Sequence, residues 1–426
     1  MAAQPPLTGI HVADFSWFGA GPICSQALAT FGAQVVHVES ETHVDGLRLI
    51  APFPIDKTGY NVSGWFNNYN AGKLSLALNL NLPQGREIGY RLIRWADVFI
   101  TNFTPRVVER WGLTYEDLAR VKPDIIAAYT PMQGMDGPRR DHLGFGAVVC
   151  PIAGFNHLSG FPHREPVGLG TNYPDYVVNP GHTLIAILAA LRHRRKTGRG
   201  QRIELAQIES SVSALGAALL DYTVNGRVQE RQGNRLPHAA PHGAFPCLPV
   251  ERPAWPGEER LPDQTVPGDD RWCAIAVFSD QEWQALCRAM GNPNWCRDEK
   301  FSTLLGRKQH EDELEERIAG WTKDKTAHEV MELLQAAGVP AGAIQTAQDV
   351  LENDPHLKER QYYVYLDHPE AGRTAYDGPA FRLTKTPGYL RSPAPCLGEH
   401  THYVCKEILG MDDEEIADLV AAQVLC

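Results

Sequence analysis

Apolar positions in the N-terminal part of the chain alternate between two periods. Residues 10–15 (IHVADF) have the dense β-branched pattern of a strand, and 16–22 (SWFGAGP) form a glycine-bearing turn. Residues 23–31 (ICSQALATF) repeat at helical spacing up to Gly32, and 33–39 (AQVVHVE) read as a second strand. Strand, turn, helix and strand within about 30 residues make a βαβ unit, which implies a parallel sheet. The theme recurs in a helix at 84–95 and a strand at 97–101, then short helices at 107–112 and 114–121 before a strand at 124–129. The N-terminal lobe is therefore predicted to be α/β and doubly wound.

Beyond it, a helix from Pro180 to Leu191 runs into the basic, glycine-bearing stretch 193–201 (HRRKTGRGQ), followed by a short strand at 202–205 and a long helix at 208–225. Residues 227–249 read as loop, and 251–270, proline-bearing and without periodicity, as an exposed insertion. A strand at 272–278, helices at 280–290, 310–321 and 326–337 and a strand at 342–345 suggest a smaller α+β domain. A helix at 347–353, a strand pair within 362–383 and a last helix at 412–422 form the tail. The predicted organisation is a large domain over 1–225, completed by about 345–426, and a small domain over 226–344.

At 426 residues the chain exceeds one ordinary domain, and 43% hydrophobic with 21% charged residues is the composition of a folded protein with ample core. Its net charge of −11 argues against bulk binding to nucleic acid or anionic membrane, while leaving room for a local basic pocket. The longest dense apolar stretch, 183–191, is about half the roughly 20 residues that a membrane-spanning helix needs. No basic-then-apolar leader opens the sequence. The nine cysteines are scattered without a CxxC pair, so reduced thiols in a cytoplasmic protein are expected.

Four constellations can carry chemistry. Gly19-Ala20-Gly21-Pro22-Ile23-Cys24 sits between strand and helix, with Glu39 ending the next strand, and partly matches a dinucleotide fingerprint. Cys24 stands where the third glycine belongs and Pro22 lacks an N–H for phosphate, so a plain βα turn, NAD or another phosphate ligand all remain open. Arg48, Lys73, Arg106, Arg110 and Arg139-Arg140 lie near predicted loops, where cations suit an anionic ligand or simply a solvated surface. Asp175, within Tyr173-Pro174-Asp175-Tyr176 ahead of an apolar helix, is either a helix-start residue or a partly desolvated nucleophile or base. His238 and His242 lie in a Pro/Gly-rich loop, where they can line a pocket, and Glu399-His400-Thr401-His402 lacks a third ligand cluster for a metal.

Taken together, these segments resemble the family III CoA-transferases, which include formyl-CoA:oxalate and carnitine CoA-transferases and the related α-methylacyl-CoA racemases. The stretches that carry the resemblance are DFSWFGAGP (14–22), VVHVE (35–39), NAGKLSLALNL (70–80), ADVFITNFTPRVVERWGL (96–113) and YPDYVVNPGHTLIAILAALRHRRKTGRGQRIELAQIES (173–210). LQAAGVPAG (334–342), DPHLKER (354–360) and LGEHT (397–401) extend it over almost the whole chain in order.

The resemblance implies that Asp175 is the nucleophile, that Phe18, Gly19 and Ala20 form a loop with an oxyanion donor, and that Lys73, Asn102, Phe103 and Arg110 bind CoA, joined by Arg48 and Arg106. A cation of that phosphate site falls on Leu143 here. It further implies coenzyme A as substrate, no metal and no NAD. The expected assembly is an interlaced dimer, either a homodimer or a pairing with a related subunit. The implied reaction moves CoA from an acyl-CoA, succinyl-CoA or another small one, to a free carboxylic acid. It passes through an aspartyl anhydride and an aspartyl-CoA thioester, with no need for ATP. The loop 237–243 can close over the site.

The racemase branch carries a histidine where Phe145 stands here, with His142 three residues early, so transfer is favoured over racemisation; a non-catalytic CoA-binding subunit is the remaining alternative. Trp17, Phe18, Tyr60, Trp65, Phe66, Phe145, Tyr173 and Tyr176 crowd the expected site and suggest a medium or bulky acid, with a small dicarboxylate as possible donor.

Overall fold

A computed structural model describes residues 4–250 and 270–426. Except for Asp270, the insertion expected at 251–270 lies outside the described residues. The chain divides into two units: Met1–His157 with Val167–Gln229 and Leu357–Cys426, and Leu158–Pro166 with Glu230–His356. Relative to the expected boundaries, residues 158–166 and 345–356 fall in the second unit and residues 226–229 in the first.

The first unit is built on six parallel strands: β1 (His11–Asp14), β2 (Gln34–Glu39), β3 (Leu74–Ala77), β4 (Val98–Thr101), β5 (Ile126–Tyr129) and β6 (Gln201–Glu204). Their order is β3-β2-β1-β4-β5-β6, so the winding direction reverses between β1 and β4 and leaves a crevice at the carboxyl ends of those two strands. Register sets the two faces. Val12 lies opposite Val35 and Val98, and these pack with Leu28, Ile187 and Ile203 under the helices Ala20–Thr30 and Asn179–Thr197. The alternate residues Ala13, Val36 and Phe99 face the helix Pro83–Trp95 through Ile88 and Leu92, and Val404, Met411 and Ile416 of the tail join the same core. Burial on both faces explains why the inner strands β2, β4 and β5 read as largely apolar runs.

The expected long helix at 208–225 is two helices, Gln207–Ser213 and Ala217–Asn225, separated at Gly216, whose φ of 47° lies outside the right-handed helical region.

The second unit holds an antiparallel sheet of β7 (His242–Cys247), β8 (Arg271–Ala276) and β9 (Ala341–Ile344). The helices Asp280–Ala289, Glu311–Thr322 and Ala327–Ala336 belong to the same unit, whose core contains Phe245, Ile275, Trp283, Leu286, Ile318 and Val330. Strand β7 occupies residues expected to be loop. Gly243 and Pro246 obscure its pattern, and Pro246 is tolerated because β7 is an edge strand.

Candidate active site

The crevice is framed by the residues that follow β1 and β4. The Trp17 N–H donates to Asn102 Oδ1 (3.0 Å), and Asn102 Nδ2 donates to the Trp17 carbonyl (2.6 Å), so one amide side chain pins the loop across the reversal point. Phe103 meets the Trp17 ring edge-on at 4.9 Å, and Trp17 Nε1 donates to the Val38 carbonyl. Asn102, Phe103 and Trp17 thus act together on the shape of the loop holding Phe18, Gly19 and Ala20. Phe18 adopts φ 62°, rare for a residue with a side chain, and its ring lies parallel to Phe145 at 6.1 Å.

Asp175 reaches the same loop from the other side. It lies in a π-helical turn, Pro174–Val178, that leads into the helix Asn179–Thr197. Its side chain is buried, with 7% of the residue exposed. Oδ2 accepts the Gly146 N–H at 2.8 Å, while Oδ1 has only a long contact of 3.4 Å from Asn179 Nδ2. Ser210 Oγ donates to Asn179 Oδ1, which turns the Asn179 amide so that its N–H faces Asp175. Burial pushes the Asp175 carboxyl up to about 6, against the opposing pull of these two donors.

The carboxyl lies between two stretches of bare backbone. A Cβ on Gly146 would stand 2.5 Å from Asp175 Oδ2, and one on Gly19 would stand 3.1 Å from the Asp175 Cβ. The first approach requires glycine at 146, and the second would be tight for any larger residue at 19. Beside them opens a cavity of ≈ 370 Å³, with Trp65, Ala147, Cys150, Asn156, Leu169 and Tyr176 among its walls. Tyr173, adjacent to the turn, is exposed.

The expected cations separate into two kinds. Arg48 is fully enclosed: its five N–H groups go to Glu39 Oε1 and Oε2, the Tyr60 carbonyl, Asn61 Oδ1 and the Pro395 carbonyl, and Phe66 covers it at 3.6 Å. Lys73 is equally committed, giving its three N–H groups to Asp14 Oδ2, the Pro22 carbonyl and Asn70 Oδ1. Neither side chain has a donor left for a phosphate, and Phe66 is a buried prop, not a pocket wall. Glu39, the acid that a ribose would require, is held by Arg48 well below the usual carboxylate range. Arg106 and Arg110 are exposed, on the helix Pro105–Trp111 that follows Asn102 and Phe103; Arg110 lies 5.7 Å from the Trp111 ring centre.

His238 and His242 belong to the second unit, where both pack near the Phe278 ring. The residues that sequence reading passed over are Gly146, Asn179 and the buried acids Asp14 and Asp45. Gly146 had a visible signal in Gly144-Phe145-Gly146, a glycine-flanked aromatic of the kind that marks close backbone approach.

The family model described as CoA-transferase family III matches residues 7–250 and 257–401. A succinyl-CoA–D-citramalate CoA-transferase of Chloroflexus aurantiacus is 31% identical over 99% of this chain and 98% of its own length. The beta subunit of a succinyl-CoA–L-malate CoA-transferase of the same organism is 33% identical over the same shares. Among solved structures, a CAIB/BAIF family protein from Brucella suis superposes with a TM-score of 0.82 at 28% identity, covering 95% of this chain and 100% of that one.

Proposed function

The chain belongs to CoA-transferase family III, and from that premise we propose that Asp175 carries CoA between two carboxylic acids. The chain is a CoA-transferase acting on an acyl-CoA and a carboxylate. In the proposed sequence, the Asp175 carboxylate attacks the donor thioester carbonyl. The C–S bond breaks, leaving an aspartyl–acyl anhydride and CoA thiolate. The thiolate attacks the aspartyl carbonyl, releases the donor acid as its carboxylate and leaves an aspartyl-CoA thioester. The acceptor carboxylate attacks that thioester to give a second anhydride, and the returning thiolate takes the acceptor acyl group and frees Asp175.

The observation that carries this reading is the setting of Asp175: buried, held at one oxygen by the Gly146 N–H and lifted to about 6. A carboxylate with a raised pKa is more basic and more nucleophilic than a solvated one, yet it is still mostly ionised at neutral pH. The Ala20 and Gly21 N–H groups at the start of the helix Ala20–Thr30, which has no side-chain cap among the described residues, and the Gly146 amide are suited to hold developing oxyanions, while burial keeps water from the anhydrides. Arg106 and Arg110 supply the exposed positive charge for CoA phosphates.

Succinyl-CoA is the proposed donor, on the strength of relatives named for it in Chloroflexus aurantiacus and, at 27% identity, in Homo sapiens. The proposed assembly is a dimer in a cytoplasmic setting. The helix Ala217–Asn225 has no buried residue yet carries Leu219, Leu220, Tyr222 and Val224, an apolar face that a second chain would cover. Relatives designated alpha and beta subunits make a related chain the alternative partner, and light scattering of the purified protein distinguishes monomer from dimer.

Incubation with succinyl-CoA and a panel of free acids, read by chromatography of the acyl-CoA products, tests the activity. The reading expects a new acyl-CoA with at least one acid and none from Asp175→Asn; equal turnover by the variant overturns it.

A further inference from the structure

Behind the Phe18–Gly19 loop lies a closed set of charged side chains that the mechanism above does not use. Asp14 is fully buried and accepts from Ser16, Ser25 Oγ and Lys73 Nζ. Glu39 and Arg48 form the second buried pair. Between them stand His37 and Asp45, both fully enclosed. His37 Nδ1 lies 3.4 Å from Asp14 Oδ2, and His37 Nε2 lies 3.9 Å from Glu39 Oε1 and 3.7 Å from Asp45 Oδ2. Phe66 packs edge-on against the imidazole. Among the described residues His37 Nε2 and Asp45 Oδ2 have no hydrogen-bond partner, and they lie 3.7 Å apart.

The other Asp45 oxygen is fully used. Oδ1 accepts the Phe18 N–H and the Leu47 N–H, both at 3.0 Å. Phe18 is the residue with the strained φ of 62°, and Gly19, next in the chain, is the backbone that abuts Asp175. A left-handed phenylalanine persists only where its surroundings hold it, and the Asp45 carboxyl is the group on its amide.

We infer that Asp45 is a positioning residue for CoA transfer: its Oδ1 fixes the Phe18–Gly19 backbone against Asp175, and His37 backs its Oδ2. This rests on the transfer reading, but it concerns a residue that touches neither CoA nor acid. A carboxylate oxygen is a stronger acceptor than a neutral one, and loop displacements of about 1 Å can cost up to about a hundredfold in rate.

The test compares Asp45→Ala, Asp45→Asn and Asp45→Glu in the full chain. Steady-state kinetics with succinyl-CoA is combined with amide hydrogen exchange of the peptide spanning residues 15–24. Asp45→Ala is expected to lower kcat by about tenfold or more while KM for succinyl-CoA stays within about threefold, with faster exchange in that peptide. Asp45→Asn, which keeps the acceptor in place, is expected to recover kcat to within about threefold of wild type and to restore protection. Asp45→Glu retains the charge but moves the oxygen by one methylene, and is expected to be slow.

Wild-type kcat in Asp45→Ala, or Glu restoring activity better than Asn, overturns the inference. Should Asp45→Ala fail to fold, the Asn-over-Glu order decides alone. If the wild type transfers no CoA, the transfer reading fails separately, and hydrogen exchange still decides whether Asp45 holds the loop.

Discussion

The Gly146 N–H donates to Asp175 Oδ2 across 2.8 Å, and a methyl group on Gly146 would come within 2.5 Å of that same oxygen. One backbone position thus supplies the donor and, by lacking a side chain, the space that the carboxyl occupies. Gly146→Ala would also meet Asn172 Cβ at 2.6 Å, so the carboxylate and the local backbone must shift, and CoA transfer is expected to fall by about a hundredfold. Gly181→Ala, where a Cβ would meet nothing within 4 Å, is the control and should leave the rate unchanged. Isotope exchange between labelled CoA and acyl-CoA measures both.

Asp175 also sets a trade between stability and function. Its carboxyl is raised from 3.8 to about 6 by burial, so its contribution favours the fold below the unfolded value and is lost as pH rises through about 6. Above that pH the buried carboxylate costs up to about 3 kcal/mol relative to a neutral group. Asp175→Asn keeps an acceptor for Gly146 and carries no charge. It is expected to resist urea better than wild type at pH 8, with the gap closing below pH 4, while transfer is abolished. Urea unfolding across that pH range checks the sign.

Lys73 and Asp14 behave in the opposite sense. The Lys73 ammonium and its neighbours hold Asp14 well below the usual carboxylate range despite burial, so this stabilisation is present above the unfolded value and is lost at strongly acidic pH. Lys73→Met strands a buried carboxylate and is expected to cost about 3–5 kcal/mol at neutral pH. The double variant with Asp14→Asn should recover part of that loss. Denaturant midpoints of the single and double variants give the coupling.

Arg106 and Arg110, by contrast, are predicted to act through the ligand. Each changed to Ala should raise KM for acyl-CoA by about tenfold, with little change in kcat and a weaker dependence on salt. Stability should be within about 0.5 kcal/mol of wild type, because both guanidinium groups are on the surface. Kinetics at two ionic strengths tests this directly.

Much of the large unit was legible because its inner strands are buried on both faces and its turns carry glycine: the βαβ opening and the parallel sheet follow from residues 10–39. The split of the 208–225 helix was not, since Gly216 breaks a pattern that otherwise stays apolar at helical spacing. Asp175 stood out through its proline, its aromatic neighbours and the apolar helix behind it. The cations did not sort themselves. Arg48 and Arg110 look alike as letters near a loop, and only the three-dimensional placement of Glu39, Asn61 and Phe66 shows that the first is walled in. Asp45 went unnoticed for the same reason, because its significance lies in the Phe18 amide 27 positions away in sequence.

The central claim is a covalent one, and mass spectrometry of the intact protein after brief incubation with succinyl-CoA, followed by peptide mapping, tests it most directly. The account predicts a mass gain equal to CoA less one water, or the aspartyl hydroxamate after hydroxylamine treatment, on the peptide containing Asp175 and its absence in Asp175→Asn. An adduct on another residue, or full turnover with Asp175 unmodified at every time point, would contradict it.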